Sequence, residues 1–343
     1  MTSGPVSAEL PLNRLEPWLA AHVPGFRGPL AAERFAGGQS NPTYKLTSGS
    51  GAYVLRRKPS GTLLPSAHAV DREYRVMRAL ARTAVPVPQV HALCEDAGVI
   101  GSAFYVMEFL DGRIFWDQRL PEVGVAERGV MFDSMNQVIA ALHSLDPGAV
   151  GLGDFGRPGN YLARQIARWS RQYQASETDK QPAMDALIEW LPRHLPAEAE
   201  ARIVHGDYRM DNLVFHKTEP VVVGVLDWEL STTGDALADF AYHAMMWRVS
   251  PELFRGLAGV DFASLNIPTE AEYVAAYCRR TGRPAVENWE FYIVYSLFRL
   301  AAILQGIAKR ALDGTAASAE AVAVGQTARP VGEQAWALAR SLG

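Results

Sequence analysis

The stretch Ile203-Val204-His205-Gly206-Asp207-Tyr208-Arg209-Met210-Asp211-Asn212-Leu213-Val214-Phe215 restricts this chain more than any other, together with Val221-Val222-Val223-Gly224-Val225-Leu226-Asp227-Trp228-Glu229 just after it. An apolar approach delivers a polar turn that carries a carboxylate and, five residues later, a carboxamide; a second apolar strand then ends in another acidic group. That layout suits a metal–phosphate site. Asp207 is placed to accept a hydroxyl proton, while Asn212 and Asp227 offer the hard oxygen ligands that magnesium prefers. The same pieces also make an ordinary strand-turn-strand corner, and the stretch alone leaves both readings open.

The chain is large enough to build around such a site. At 343 residues and 37.5 kDa it can bury a sizeable core, as one large domain or as two lobes. With 48% hydrophobic and 20% charged residues its composition is globular, and it lacks the run of about 18 uninterrupted apolar residues expected of a membrane span. A formal charge of −4 does not advertise nucleic acid or membrane partners. Glu9 and Arg14 stand among scattered prolines where a secretory leader would be basic and then apolar, so the expected compartment is the cytoplasm. Cys94 and Cys278 lie far apart, fit neither a disulfide framework nor a zinc set, and are expected as small buried apolar side chains.

Periodicity predicts the elements around the central stretch. Leu10, Leu15, Trp18, Leu19 and Val23 recur at helical spacing, giving an N-terminal helical segment over residues 1–27 that Pro24-Gly25 stops. Gly37-Gly38-Gln39-Ser40-Asn41 is a glycine-bearing turn leading into a strand. Ser48-Gly49-Ser50-Gly51 bends the chain into a second strand, Ala52–Lys58. Glycine lets backbone amides approach a phosphate, and Ser40 and Asn41 add donors, although a plain loop explains this turn as well. The period of two puts Val54 and Arg56 on one strand face and Leu55 and Arg57 on the other, aiming Arg56 where a phosphate cation is wanted. Glu73, 17 residues later on a helix marked by Val70, Tyr74, Met77 and Leu80, is a candidate to hold Arg56 by a salt bridge; two solvated charges are the alternative.

Short strands follow around Val90–Cys94 and Phe104–Phe109, after which nearly everything outside the central stretch is helical. This change of pattern predicts an α+β chain with a lobe boundary near residues 107–111: an N-lobe over 28–107 and a C-lobe over 108–343. Met107 and Glu108, at that boundary, have backbone groups to offer an adenine ring, and an apolar strand end explains them equally well. Helices are expected over Val123–Leu145, Tyr161–Gln174, Met184–Leu191, Asp235–Trp247, Glu270–Thr281, Glu287–Leu312 and Ala316–Leu342, with Pro268, Pro284 and Pro330 as punctuation. His143 is expected as a packed or capping residue.

His205-Gly206-Asp207-Tyr208-Arg209-Met210-Asp211-Asn212-Leu213 followed by Asp227-Trp228-Glu229 closely resembles the catalytic segment of the aminoglycoside phosphotransferase-like (choline kinase-like) small-molecule kinases, relatives of protein kinases. The resemblance extends over roughly residues 30–310. It includes Gly37 to Asn41, Tyr53-Val54-Leu55-Arg56-Arg57, the helix holding Glu73, and Gly234-Asp235-Ala236-Leu237-Ala238-Asp239. It implies a two-lobed protein-kinase-like fold, with a small antiparallel-sheet N-lobe that binds nucleotide and a larger, mainly helical C-lobe. It also implies roles: Asp207 as catalytic base, Arg209 reaching the γ-phosphate, Asn212 and Asp227 holding Mg2+ against the phosphates of ATP or GTP, His205 and Gly206 shaping the loop, and Asp239 anchoring its backbone. Two departures stand out. Arg56 occupies the place where protein kinases and many antibiotic kinases put lysine, and Trp228-Glu229 replaces a Phe-Gly pair; Glu229 is then either an exposed carboxylate or a further metal or substrate residue.

Family does not fix the acceptor. From Phe240 to Gly343 nine Arg and Lys309 balance seven Glu and two Asp, which gives no support to a polycationic antibiotic. Val54-Leu55-Arg56-Arg57-Lys58-Pro59 and Leu63-Leu64-Pro65-Ser66-Ala67-His68-Ala69-Val70-Asp71-Arg72-Glu73-Tyr74 look like the kinase-like domain that some eukaryotes fuse to acyl-CoA dehydrogenases. That resemblance implies phosphorylation of a hydroxyacyl-CoA or hydroxy acid, with a separate acyl-CoA dehydrogenase in the same pathway. An aminoglycoside, amino-alcohol or sugar kinase is the alternative, and a catalytically silent nucleotide-binding protein the alternative of another class.

Overall fold

A computed structural model describes residues 10–35, 41–59, 69–315 and 321–343. The chain divides into two compact units, one formed by residues 1–111 with 224–229, the other by residues 112–223 with 230–343. The break after Asp111 falls close to the expected boundary. Two differences have physical causes. The segment 1–27 is not a domain of its own, and residues 224–229 leave the larger unit for the smaller.

The smaller unit is a five-stranded antiparallel sheet: β1 (Ala31–Arg34), β2 (Thr43–Ser48), β3 (Gly51–Arg57), β4 (Val90–Cys94) and β5 (Phe104–Glu108), in the order β1-β2-β3-β5-β4. Ser48 pairs Gly51 across the first bend, as the polar Ser-Gly-Ser-Gly run requires. Alternation then sorts the faces. Leu46, Leu55, Phe104 and Val106 point to one side and form a buried cluster with Leu15, Leu19 and Val23. The helix Leu12–His22 therefore completes the sheet's core, which is why it belongs to this unit. The opposite face carries Arg56 directly across from Tyr105.

The larger unit is mainly helical. Its longest helix, Trp289–Leu312, packs against Ala328–Leu342, Ala321–Gln326, Tyr161–Ser176 and Ala236–Ala244, and a second pair joins Val125–Ser144 to Glu270–Thr281. By length and hydropathy Trp289–Leu312 passes the test for a membrane span, but 78% of its most apolar window is buried inside the protein, as in a core helix. The expected helix over Ala316–Leu342 is instead two, Ala321–Gln326 and Ala328–Leu342, with residues 316–320 outside the described part. Pro330 lies in the first turn of the second, where a missing N–H costs nothing. Two short strands absent from the sequence reading, β6 (Arg202–Val204) and β9 (Thr232–Gly234), pair on either side of the central stretch. Between them come β7 (Leu213–Phe215) and β8 (Val222–Val225), which form a further two-stranded sheet. Cys94 and Cys278 are free and buried.

Candidate active site

In the smaller unit, the pairing of β3 with β5 brings together a charged cluster under the helix Val70–Leu80. Arg56 Nε lies 2.9 Å from Glu73 Oε2, so these two charges are not solvated separately. Its Nη2 lies 2.6 Å from Asp227 Oδ1 and 3.3 Å from Glu229 Oε2. Glu73 is fully buried and accepts two more hydrogen bonds, from Tyr105 Oη at 3.0 Å and Asn41 Nδ2 at 2.9 Å. Burial pushes its carboxyl up; Arg56 pulls it back, Asp227 and Glu229 push it further, and it reaches about 7.

Three expectations change here. Asn41 is buried and gives its side-chain amide to Glu73, so that group supports the carboxylate. Glu229 is not an exposed carboxylate, for its side chain is only 24% accessible and pairs with Arg56. Glu108 spends its N–H on the carbonyl of Gln89 at 2.8 Å, and its carboxylate accepts from the Gln89 amide, so that amide is not open to an adenine. Met107 is buried within β5. Gly37, Gly38, Gln39 and Ser40 lie outside the described residues. Tyr105 was missed; the period of two in Phe104–Glu108, matched to Arg56, was the signal that could have found it.

Asp227 itself sits at φ +64, in the left-handed region, directly before a short 3₁₀ turn, Trp228–Leu230. Trp228 is buried and ties back to Val225 through its indole N–H at 2.9 Å. A bulky anchored side chain thus stands where a Phe-Gly pair would leave a pivot, and the conformation that presents Asp227 is fixed.

In the larger unit the loop around Asp207 is suspended from its backbone. Asp239, on the helix Ala236–Ala244, accepts from the N–H groups of His205 (2.7 Å) and Gly206 (2.9 Å), and also contacts His143 Nε2 at 3.2 Å. Burial would push the Asp239 carboxyl up, but the bond and charge of His143, with His205, hold it below its ordinary value. His143 turns its other nitrogen to the Tyr277 hydroxyl at 2.8 Å, so it is the packed residue expected. Gly206 has φ +84, and a Cβ there would meet the Leu230 carbonyl at 2.7 Å; only glycine fits. Its carbonyl accepts from Arg299, a buried guanidinium stacked 4.0 Å over the Tyr242 ring. Arg299 was missed, although an arginine within Leu297-Phe298-Arg299-Leu300 breaks an otherwise apolar helix and was a legible signal.

This scaffold fixes Asp207. Its N–H donates to His205 Nδ1 at 3.1 Å, and the Asn212 amide donates to both its carbonyl (2.9 Å) and its carboxylate (3.1 Å). With the Asn212 nitrogen committed to Asp207, its carbonyl oxygen is the atom suited to a cation. Arg209 turns to the loop's own carboxylates: Nη2 lies 2.8 Å from Asp211 and Nε 3.4 Å from Asp207. The structure thus gathers Asp207, Arg209 and Asn212 in one unit and Arg56, Glu73 and Asp227 in the other. Two hollows of the larger unit, of 510 and 680 Å3, contain none of these residues.

Known proteins share this arrangement of elements. The family model described as "Phosphotransferase enzyme family" matches residues 31–292. Acyl-CoA dehydrogenase family member 10 of Mus musculus is 48% identical over 318 residues, which cover 92% of this chain and 30% of that protein. The chain spans under half the length of the curated relatives it matches. A solved structure from Ralstonia eutropha JMP134, described provisionally as an aminoglycoside phosphotransferase, is 54% identical, has a TM-score of 0.89, and is covered to 99% by 97% of this chain. Choline kinase from Cryptosporidium parvum shares the fold at 10% identity, with a TM-score of 0.67 and 96% of each chain covered. The fold is therefore the protein-kinase-like one, and the chain belongs to the phosphotransferase enzyme family of small-molecule kinases.

Proposed function

We propose that this chain transfers the γ-phosphoryl group of ATP or GTP to a hydroxyl of a small molecule, with a hydroxyacyl-CoA or hydroxy acid as the acceptor. The observation that carries the reading is the catalytic loop: a carboxylate oriented by Asn212 and His205 on a backbone that Asp239 and Arg299 hold still. Phosphoryl transfer has a loose transition state, so catalysis is mostly positioning, and such a loop is what positioning demands. Asp207 orients the acceptor hydroxyl and receives its proton as the oxygen–phosphorus bond forms and the bond to the leaving diphosphate breaks.

The residues fit magnesium. Asp227, with its side chain 34% accessible, and the Asn212 carbonyl are hard oxygen donors. Among the described residues no group of three His, Cys, Asp or Glu forms a ready-made metal cage. That suits an ion that keeps its waters and takes one or two carboxylates plus substrate phosphates. When bound, the ion supplies charge neutralisation at the phosphates. Arg56, linked to Asp227 by the 2.6 Å contact and fixed by Glu73, supplies the fixed positive charge beside it. The acceptor class is supported by the 43–48% identity to acyl-CoA dehydrogenase family members.

Nucleotide turnover with magnesium, measured across hydroxyacyl-CoAs, hydroxy acids, sugars, amino alcohols and aminoglycosides, tests the reading. Asp207→Ala is expected to lower turnover about 10²–10⁴-fold. No acceptor-dependent turnover with any compound defeats the reading, and full activity in Asp207→Ala removes Asp207 as the base.

A further inference from the structure

The segment Gly112–Leu120 carries two large apolar side chains that the fold leaves in solvent, Ile114 at 43% and Trp116 at 60% accessibility. Arg255 lies over the Trp116 ring, 4.9 Å from its centroid, and its Nη1 is 3.9 Å from Asp211 Oδ2. Asp211 is in turn bonded to Arg209, which contacts the Asp207 carboxylate. Arg255, with Trp116 against it, is therefore linked to the proposed base by three successive ion pairs, all within the larger unit.

Backbone conformation marks the same place. Among the described residues six that are not glycine have positive φ: three Asn, Asp227, Leu120 and Arg255. Asn and Asp tolerate this region, whereas Leu and Arg are strained there. Leu120, at φ +53, closes the turn Asp117–Leu120 that directly follows Trp116, and Arg255, at φ +49, ends the helix Pro251–Phe254. Both strained positions thus border the platform. Arg255 is also little used by the protein: among the described residues its guanidinium makes no hydrogen bond, and its one ion pair spans 3.9 Å. Arg56, by contrast, is enclosed by three carboxylates. Arg255 keeps most of its five N–H donors for something else.

We infer that Trp116 and Arg255 form the acceptor-binding platform of the proposed kinase, Arg255 taking an anionic group of the substrate and Trp116 its apolar body. The inference rests on the reading of the chain as a small-molecule kinase and narrows the acceptor to an anionic, amphipathic hydroxy compound. A polycation would meet the guanidinium as like charge, while a carboxylate or phosphate forms a charge-assisted bond with it.

The test uses the full chain with 3-hydroxydecanoate and its uncharged methyl ester. Arg255→Asn removes the charge and places a residue that accepts the left-handed conformation, so the variant is expected to melt no lower than the parent. For the acid, KM and the directly measured Kd are expected to rise about tenfold or more, with kcat within about threefold; for the ester both stay unchanged. Arg255→Lys recovers part of the loss, and Trp116→Ala weakens acid and ester alike. Equal loss for acid and ester in Arg255→Asn, or no loss for either, overturns the inference. Charge-dependent binding lost in Arg255→Asn, without phosphorylation by any form, sinks the kinase reading and keeps the anion site. Phosphorylation of neutral acceptors untouched by either variant does the reverse.

Discussion

The two charged clusters of this chain are built in opposite ways. Around Arg56, one cation is held by side chains from a strand, a helix and the turn after β8, with three carboxylates sharing one guanidinium. Around Asp207, one carboxylate is held by backbone: Asp239 grips two successive N–H groups and Arg299 the carbonyl between the loop's key residues. The first arrangement is electrostatic and carries excess negative charge, so it responds to pH and to added cations. The second is geometric, with its buried charges locked to amides, and presents Asp207 in one orientation.

The largest effect that separates the two is expected from Asp239→Ala. It strands two buried N–H groups and His143 together, and should lower unfolding free energy in urea by about 4 kcal/mol. A cost under about 1 kcal/mol would mean the loop does not hang from this residue. Arg56→Leu leaves three carboxylates facing one another, with an expected cost of about 3 kcal/mol that added Mg2+ partly restores in thermal melts. The same magnesium should not rescue Asp239→Ala, and rescue of both would erase the contrast. Gly206→Ala forces a strained φ and a contact with the Leu230 carbonyl, for about 2 kcal/mol and a fall in kcat, read by melts and turnover together.

The smallest effect is a slope. Glu73 titrates near 7 in the folded protein against an ordinary 4.5. Between those values the folded protein keeps a proton that the unfolded chain has released. Its stabilising contribution is therefore complete below about 4.5 and lost as pH rises through about 7. The slope contributed is at most about 1.4 kcal/mol per pH unit. Glu73→Gln should flatten it, whereas a slope unchanged in that variant would assign the pH response elsewhere.

The chain's own alternation and spacing carried a good deal of this. The period of two placed Arg56 on its face, the 3.6 period located most of the long helices, and Asp207, Asn212 and Asp227, which by themselves left a metal–phosphate site and a plain corner open, implied phosphoryl transfer through the family they resemble. These are local signals, set by backbone geometry within a few residues. The residues that the reading missed or misplaced act across distance. Tyr105 and Asn41 meet Glu73 only because β5 pairs with β3 and Asn41 is buried beside the helix Val70–Leu80. Arg299 reaches the Gly206 carbonyl 93 residues away along the chain. Whether Glu229 is solvated or paired depends on where a turn from the middle of the sequence lands. Sequence by itself determined which groups are present and in what order, because chemistry and periodicity are written residue by residue. Tertiary structure alone decided which charges share a site, because burial and pairing are properties of segments that only folding brings together.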